Sequence, residues 1–528
     1  MGELRSAMRL LATTFVFATV LGLAWATDPK IDEAIPLTVE SLRPVFVRME
    51  DQLLRKAGDY EAFCKAHADH TRSQNRKEVT ALLRKKADES WKKVDGLVSE
   101  LEKDGSIRGT RRFWIVNGFA CAAKPAAIRK LAEHEAVSFV YLDRFARPFR
   151  KSKPMTVSQK NAMKALFELW KKKPAELQLK DARIPWNLEG IKAPEAWRKE
   201  KAFGQGVTVA VIDSGILPTP SLAYALWKNP KETFNGEDDD GNGLVDDVFG
   251  YDFPSGNGFV QETNRMMSHG SACAGIIAGR PSPKTRWLTG IAPKAELMLI
   301  KGSFDLRALE YLLLNGADLV SMSFMIVGRE LGHVRGLYRN AFEHLSAAGV
   351  LALGGAGNFA AGPRALAKGK QIGLPKDIPC VVAVAGVAKD RSSVPFSSRG
   401  PCYWDKVVFF SDYPMKKPLF KPDVTAFPTG YPMWTHSPNR LTKARGWREV
   451  SAEEGASLVV GLGGNSFSGP HGVGVAALVL SVNPEMNPWE VKNLLERTAV
   501  DLGPKGTDTQ YGAGLLDALA AVRQAKKN

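Results

Sequence analysis

Hydrolysis of an amide at neutral pH needs an activated nucleophile, a base to take its proton, and donors for the oxyanion that develops. Three short stretches of this 528-residue chain carry such parts. In VAVIDSG (209–215) an apolar run ends at Asp213 and turns through a glycine. Alone, that aspartate reads equally well as a turn initiator. In SHGSACAGIIAG (268–279), His269 opens a helix of small residues that would pack closely behind the imidazole. In GGNSFSGPHGVGVAALVL (463–480), Ser466 stands just ahead of an apolar helix whose N-terminal end favours developing negative charge. Ser468 competes as nucleophile, with helix capping as its ordinary role.

The elements that must position these residues read as an α/β architecture. Beyond Trp186, the apolar runs VTVAVID, ELMLIKG, DLVSMSF, VLALGGAG and CVVAVAG alternate with helical patterns such as LRALEYLLLNG and VRGLYRNAFEHLSAAG. Continuous apolar strands separated by helices predict a parallel sheet covered on both faces. Catalytic groups of such sheets gather at the carboxyl ends of the strands, where Asp213 falls.

Taken together, DSG, HGS and GNSFSGP in the order Asp, His, Ser resemble the active-site motifs of the subtilisin-like serine proteases, the subtilases. The likeness runs from about Trp186 to Val522 and closes on YGAGLLDALAAV. It implies that Asp213, His269 and Ser466 form a catalytic triad and that Asn358, in GGAGNFA, adds a side-chain oxyanion donor. It also implies that Ser321, Ser323, Phe324, Gly354, Gly355, Ala356 and Gly357 line a groove for an extended peptide. Three positions depart from the usual pattern: Asn465 replaces a threonine before the serine, Ser271 replaces a threonine, and Met325 stands where glycine is common and narrows the groove. Cys273 reads as a buried small hydrophobe.

Between Asp213 and His269 lies EDDDGNGLVDDVFGYDF (237–253). Asp238, Asp240 and Asn242 alternate as in a calcium loop, Gly243 permits the sharp turn, and Asp246 and Asp247 follow. The closing glutamate is missing, its place taken by Phe249. Structural Ca2+, which related enzymes bind in DDDGNG insertions, is the expected metal, with an ion-free acidic turn as the alternative; no organic cofactor is expected.

The remaining segments complete the expected layout. Residues 1–26 read as a secretory signal, with Arg5 and Arg9, the apolar run Leu10 to Leu23 and the Ala24-Trp25-Ala26 cleavage pattern. Residues 27–144 read as a small α+β unit of strand–helix–strand–strand–helix–strand order, the ferredoxin-like arrangement. Its strands are PVFVRM, RFWIVN, GFACAA and SFVYLDR, and its long helix spans Thr71 to Lys103 with Val79, Leu82, Leu83, Trp91, Val94, Leu97 and Leu101 on one stripe. It is similar to a subtilase propeptide, an intramolecular inhibitor. Residues 145–185 read as a basic linker and processing region, and 186–528 as the catalytic domain.

A net charge of +16 permits binding to nucleic acid, but much of the excess lies in the linker and no nucleic-acid motif is present. Of five cysteines, Cys380 and Cys402 flank one strand-and-turn segment and are the candidates for pairing in an exported protein. The expectation is a secreted or periplasmic, monomeric serine endopeptidase made as a zymogen and acting on proteins or peptides. A catalytically silent binding scaffold of the same fold is the alternative.

Overall fold

The computed structural model describes residues 28–146, 151–177 and 179–527. The segment expected to be a secretory signal, with its expected cleavage site, lies outside them.

The N-terminal unit holds β1 (Arg43–Met49), β2 (Ile107–Phe113), β3 (Gly118–Ala123) and β4 (Val137–Leu142). They pair antiparallel in the order β2-β3-β1-β4, the ferredoxin-like topology the pattern predicts. The long helix Arg72–Lys103 starts at a capping box in which Thr71 and Gln74 satisfy each other's backbone N–H groups. Its buried stripe runs Val79, Leu83, Ala87, Ser90, Val94, Val98 and Leu101, at spacings of three and four. Leu82, Trp91 and Leu97 fall outside this set. A second helix, Asp59–Ala66, carries too weak a pattern to be read from sequence. RFWIVN is not one strand: β2 ends at Phe113, and Asn117 turns the chain with φ of 36°. Ile115 and Val116 are buried in that turn because it plugs onto helix Leu306–Leu314, whose Glu310 accepts the Ile115 N–H at 3.0 Å.

The larger unit is built on seven strands, all parallel: β5 (Thr208–Ile212), β6 (Gly250–Asp252), β7 (Glu296–Lys301), β8 (Leu319–Met322), β9 (Leu351–Gly355), β10 (Val382–Gly386) and β11 (Val424–Ala426). Their order is β11-β10-β9-β8-β5-β7-β6. Side chains alternate between two cores, as the period of a strand requires. Val209, Val211, Leu297, Leu299 and Leu353 join the core beneath helices His269–Ala278, Gly469–Leu480 and Ala518–Ala525. Ala210, Ile212, Met298, Ile300 and Met322 face helices Leu306–Leu314 and Val334–Ala347. The N-terminal unit sits on this second pair of helices, and its Phe46, Tyr60, Leu83 and Tyr141 belong to the same core. A small antiparallel sheet of β12 (Met433–Thr435), β13 (Arg448–Glu453) and β14 (Ala456–Val460) completes the unit.

One expectation is corrected, and one open pairing is answered. The segment after Arg150 is no solvated linker. Helix Val157–Lys171 buries Met163 and Leu166 in the core of the larger unit, and the Trp170 indole donates to the Leu226 carbonyl at 2.9 Å. Its apolar positions were outweighed by the surrounding lysines in a reading by composition. Cys380 and Cys402 do not pair: all five thiols are free, and these two lie in different hydrophobic clusters.

Candidate active site

Asp213 follows β5 directly, and its N–H donates to the Ile300 carbonyl of β7 at 2.9 Å. The turn that follows needs glycine twice over. Gly215 has φ of 99°, and helix His269–Ala278 comes so close that a Cβ on Gly270 would lie 2.1 Å from the Gly215 carbonyl oxygen. That approach brings His269 Nδ1 to 2.8 and 2.9 Å from the two Asp213 carboxylate oxygens. The contact fixes the tautomer with hydrogen on Nδ1 and leaves Nε2 as the proton acceptor. Burial alone would lower the His269 pKa, but the Asp213 carboxylate, with Cys273 beside it, raises it well above the usual imidazole value. Burial pushes Asp213 the other way, and the imidazole holds its pKa below the carboxylate norm.

Ser466 precedes helix Gly469–Leu480, half-buried at the same edge. Its Oγ donates to the Ser323 carbonyl at 3.4 Å, and the Ser323 hydroxyl donates back to the Ser466 carbonyl at 2.8 Å. No hydrogen bond joins Ser466 Oγ to His269; the two approach through the Phe467 ring, 5.6 Å from the imidazole, and through Cys273. The thiol of Cys273 lies 3.9 Å from His269 Nδ1, 3.4 Å from Ser323 Oγ and 3.5 Å from the Ser466 carbonyl oxygen, so it links the three. Ser468 is fully buried, its hydroxyl against the Val384 and Asn465 carbonyls.

Asn358 Oδ1 accepts the Asn465 N–H at 2.7 Å, and among the described residues no hydrogen bond engages its Nδ2, which is left to donate. The Asn465 side chain, fully buried, donates to the Gly357 carbonyl at 2.7 Å and to Ser397 Oγ at 2.9 Å. It thus ties the loop that carries Asn358 to the turn that carries Ser466, a role the sequence signalled only as a departure from threonine.

Residues 204–514 match the family model described as "Subtilase family". That match takes in every residue of this site and more than half of the chain. The chain belongs to the subtilase family. Subtilisin DY of Bacillus licheniformis is 26% identical over 351 residues, 64% of this chain and 99% of its own length. Subtilisin E of Bacillus subtilis is 24% identical over 80% of this chain and 84% of its own. Bacillopeptidase F, also of B. subtilis, is 25% identical over 87% of this chain, which spans only 29% of that longer protein. The catalytic unit of this subtilase is that of a subtilisin-like serine endopeptidase, and the family acts on proteins.

Of the expected groove residues, Ser321 is paired within the sheet, to Val211 and Leu353, and buried. Ser323 and Phe324 extend past the end of β8, and Phe324 packs edge-on against Phe304 at 5.0 Å. Gly354, Gly355, Ala356 and Gly357 are all buried opposite them.

The acidic loop of this subtilase gathers differently from its sequence. Asp238 and Asp240 converge with Glu232, their ligand oxygens within 4.8 Å of one another. Asp247 and Asn242 join through Asn229, whose amide donates to Asp240 at 3.1 Å and Asp247 at 3.3 Å, and through Asn242 to Asp247 at 3.2 Å. Asp246 turns away to accept the Gly236 N–H at 2.9 Å. Glu232, six residues ahead of Asp238, was missed because the calcium-loop pattern looks only downstream. One of its oxygens is buried with no partner. Its burial, then the neighbouring Asp247, pushes its pKa up to about 7; burial likewise lifts Asp247 to about 6.

Proposed function

We propose that this chain is a secreted serine endopeptidase made as a zymogen. The observation that carries the reading is the Asp213–His269 pair, at 2.8 Å, set beside Ser466 and an Asn358 amide left to donate. His269 Nε2 takes the Ser466 proton as Oγ attacks the scissile carbonyl, and Asp213 stabilises the imidazolium that forms. Asn358 Nδ2 and the Ser466 N–H hold the oxyanion. The imidazolium then protonates the leaving amine, and His269 activates water to release the acyl group.

The ferredoxin-like unit is proposed as the inhibitory propeptide. It caps helix Val334–Ala347, where both His344 nitrogens are engaged by its backbone: Leu54 N–H at 3.0 Å and the Ile115 carbonyl at 2.6 Å. Its end reaches the groove wall, where Phe145 stacks on Phe304 at 4.9 Å. Ser152 and Lys153 already bond the catalytic unit, at Tyr251 and Gly256, so the maturation cut is expected ahead of Lys151. Export rests on the signal sequence; among the described residues no helix is long and apolar enough to cross a membrane.

The loop residues fit Ca2+: an orphaned buried oxygen on Glu232 and acids whose ionisation is suppressed call for a hard cation. Glu232, Asp238, Asp240 and Asp247 would hold it, and it would neutralise their repulsion rather than take part in hydrolysis.

A second reading, a silent scaffold, draws on Ser466 Oγ pointing to Ser323 rather than His269. Fluorophosphonate labelling decides between them. The wild type should be labelled and Ser466→Ala should not. If maturation is autocatalytic, S466A accumulates as precursor, and mass spectrometry gives the new N-terminus of the wild type. Folded, mature protein that resists the label would establish the scaffold instead.

A further inference from the structure

The nucleophile sits at the mouth of a crevice whose depth is set by residues outside the triad. β8 and β9 stay paired as far as Ser321 and Leu353, then diverge into the segments 323–327 and 354–358. Ser466 spans the opening: its Oγ lies 3.4 Å from the Ser323 carbonyl oxygen, and a Cβ on Gly355 would lie 3.0 Å from its N atom. In a tetrahedral adduct on Ser466, the oxyanion faces Asn358 and the leaving group faces His269. The side chain of the acyl residue then has the crevice as its place.

That crevice is filled from three directions. From below, Lys376 is completely buried, its Nζ donating to the Phe324 carbonyl at 2.8 Å. Its stem occupies so much of the space that a Cβ on Gly354 would lie 2.2 Å from Lys376 Cε. At the far end, the Ile326 N–H bonds the Leu374 carbonyl at 2.9 Å, and a Cβ on Gly373 would meet the Ile326 carbonyl oxygen at 2.1 Å. At the lip, Met325 Sδ and the Phe359 ring close over Gly357, at 2.9 and 3.0 Å from where its Cβ would stand. Gly354 and Gly357 are glycines for lack of room, not for backbone freedom alone. Overpacking such a space with extra carbons is resisted as strongly as leaving it empty.

We propose that Met325 and Lys376 are specificity-determining residues that restrict cleavage to bonds following a small residue: glycine, alanine or serine. The inference rests on the endopeptidase reading and names its substrate class. Lys376 fills space here and is not a reader of acidic side chains, since its amine is already bonded and shielded from solvent.

The test uses the protein expressed as the full chain and acyl-tetrapeptide coumarin amides that differ only in the residue bearing the scissile carbonyl. Alanine should be preferred over leucine and phenylalanine by about 100-fold or more in kcat/KM, the scale set by one or two excess methylenes in a closed pocket. Met325→Gly and Lys376→Ala should each lower that ratio at least tenfold. Peptidyl phosphonates with an alanine-like or phenylalanine-like side chain report the same discrimination on the wild type as labelling rates of Ser466, with no variant to fold.

Three outcomes overturn the proposal: phenylalanine or leucine accepted within tenfold of alanine, a preference for glutamate, or a folded, labelled M325G that keeps the original ratio. Failure of any fluorophosphonate to label the protein would instead overturn the endopeptidase reading, and this inference with it.

Discussion

Replacing Asn465 by alanine tests whether the oxyanion donor is held in place from the nucleophile's own turn. The substitution removes two buried hydrogen bonds, to the Gly357 carbonyl and to Ser397 Oγ. It keeps the backbone N–H that bonds Asn358. Neither former partner is orphaned, because Gly357 still accepts the Ser398 N–H and Ser397 Oγ still accepts that of Gly386, each at 2.9 Å. The change also deletes an Asn465 Oδ1 that is buried without a partner. Stability should therefore fall by no more than about 1 kcal/mol, two net bonds at ~1 kcal/mol each less the ~1 kcal/mol or more relieved with the orphan.

Catalysis should suffer more selectively. If the ~2 kcal/mol of those two bonds holds the Gly357–Asn358 loop in its working position, kcat falls about 10- to 30-fold while KM barely moves. The ceiling is outright loss of the Asn358 donor, on the order of 10²–10³ in kcat, a range that itself comes from a subtilisin. Steady-state kinetics on N465A, N358A and the double variant give the answer. Because Asn465 acts through Asn358, the double variant should be no slower than N358A alone, and Asn465→Thr should recover part of the rate. Multiplying effects in the double variant, or an unchanged kcat in N465A, would refute the argument.

Three further outcomes follow from the geometry. A general base works only when neutral, so activity appears as pH rises through the His269 pKa; with that value raised, the acid limb of kcat/KM should lie above 6.5, and Asp213→Asn should move it down while cutting kcat steeply. In metal-free protein, Glu232 and Asp247 hold protons that the unfolded chain has already lost, so stability drains away as pH rises from about 4.3 to about 7. Chelation should accordingly lower Tm more at pH 8 than at pH 5 by calorimetry, and Glu232→Gln should shrink the calcium-dependent gain; equal shifts at both pH values would count against the site. Leu166→Ala should cost the mature enzyme about 2–5 kcal/mol in denaturant unfolding, whereas a processed linker would leave it untouched.

Some of this protein was determined by sequence alone. Local rules act between neighbours, so the alternation of apolar strands with helices, the long helix from Thr71 to Lys103 and the glycine turn after Asp213 could be read directly. The order of the three catalytic motifs fell in the same class, since each needs a strand end or helix start that its own flanks encode. What the tertiary structure decided depends on distances between segments far apart in the chain. Glu232 entered the acidic cluster from upstream, helix Val157–Lys171 docked despite its lysines, and Cys380 and Cys402 were carried into separate cores. The filling of the crevice by Lys376 is the clearest case. A lysine in a loop is expected in solvent, and only close packing against Gly354, 22 positions away, makes it part of the interior.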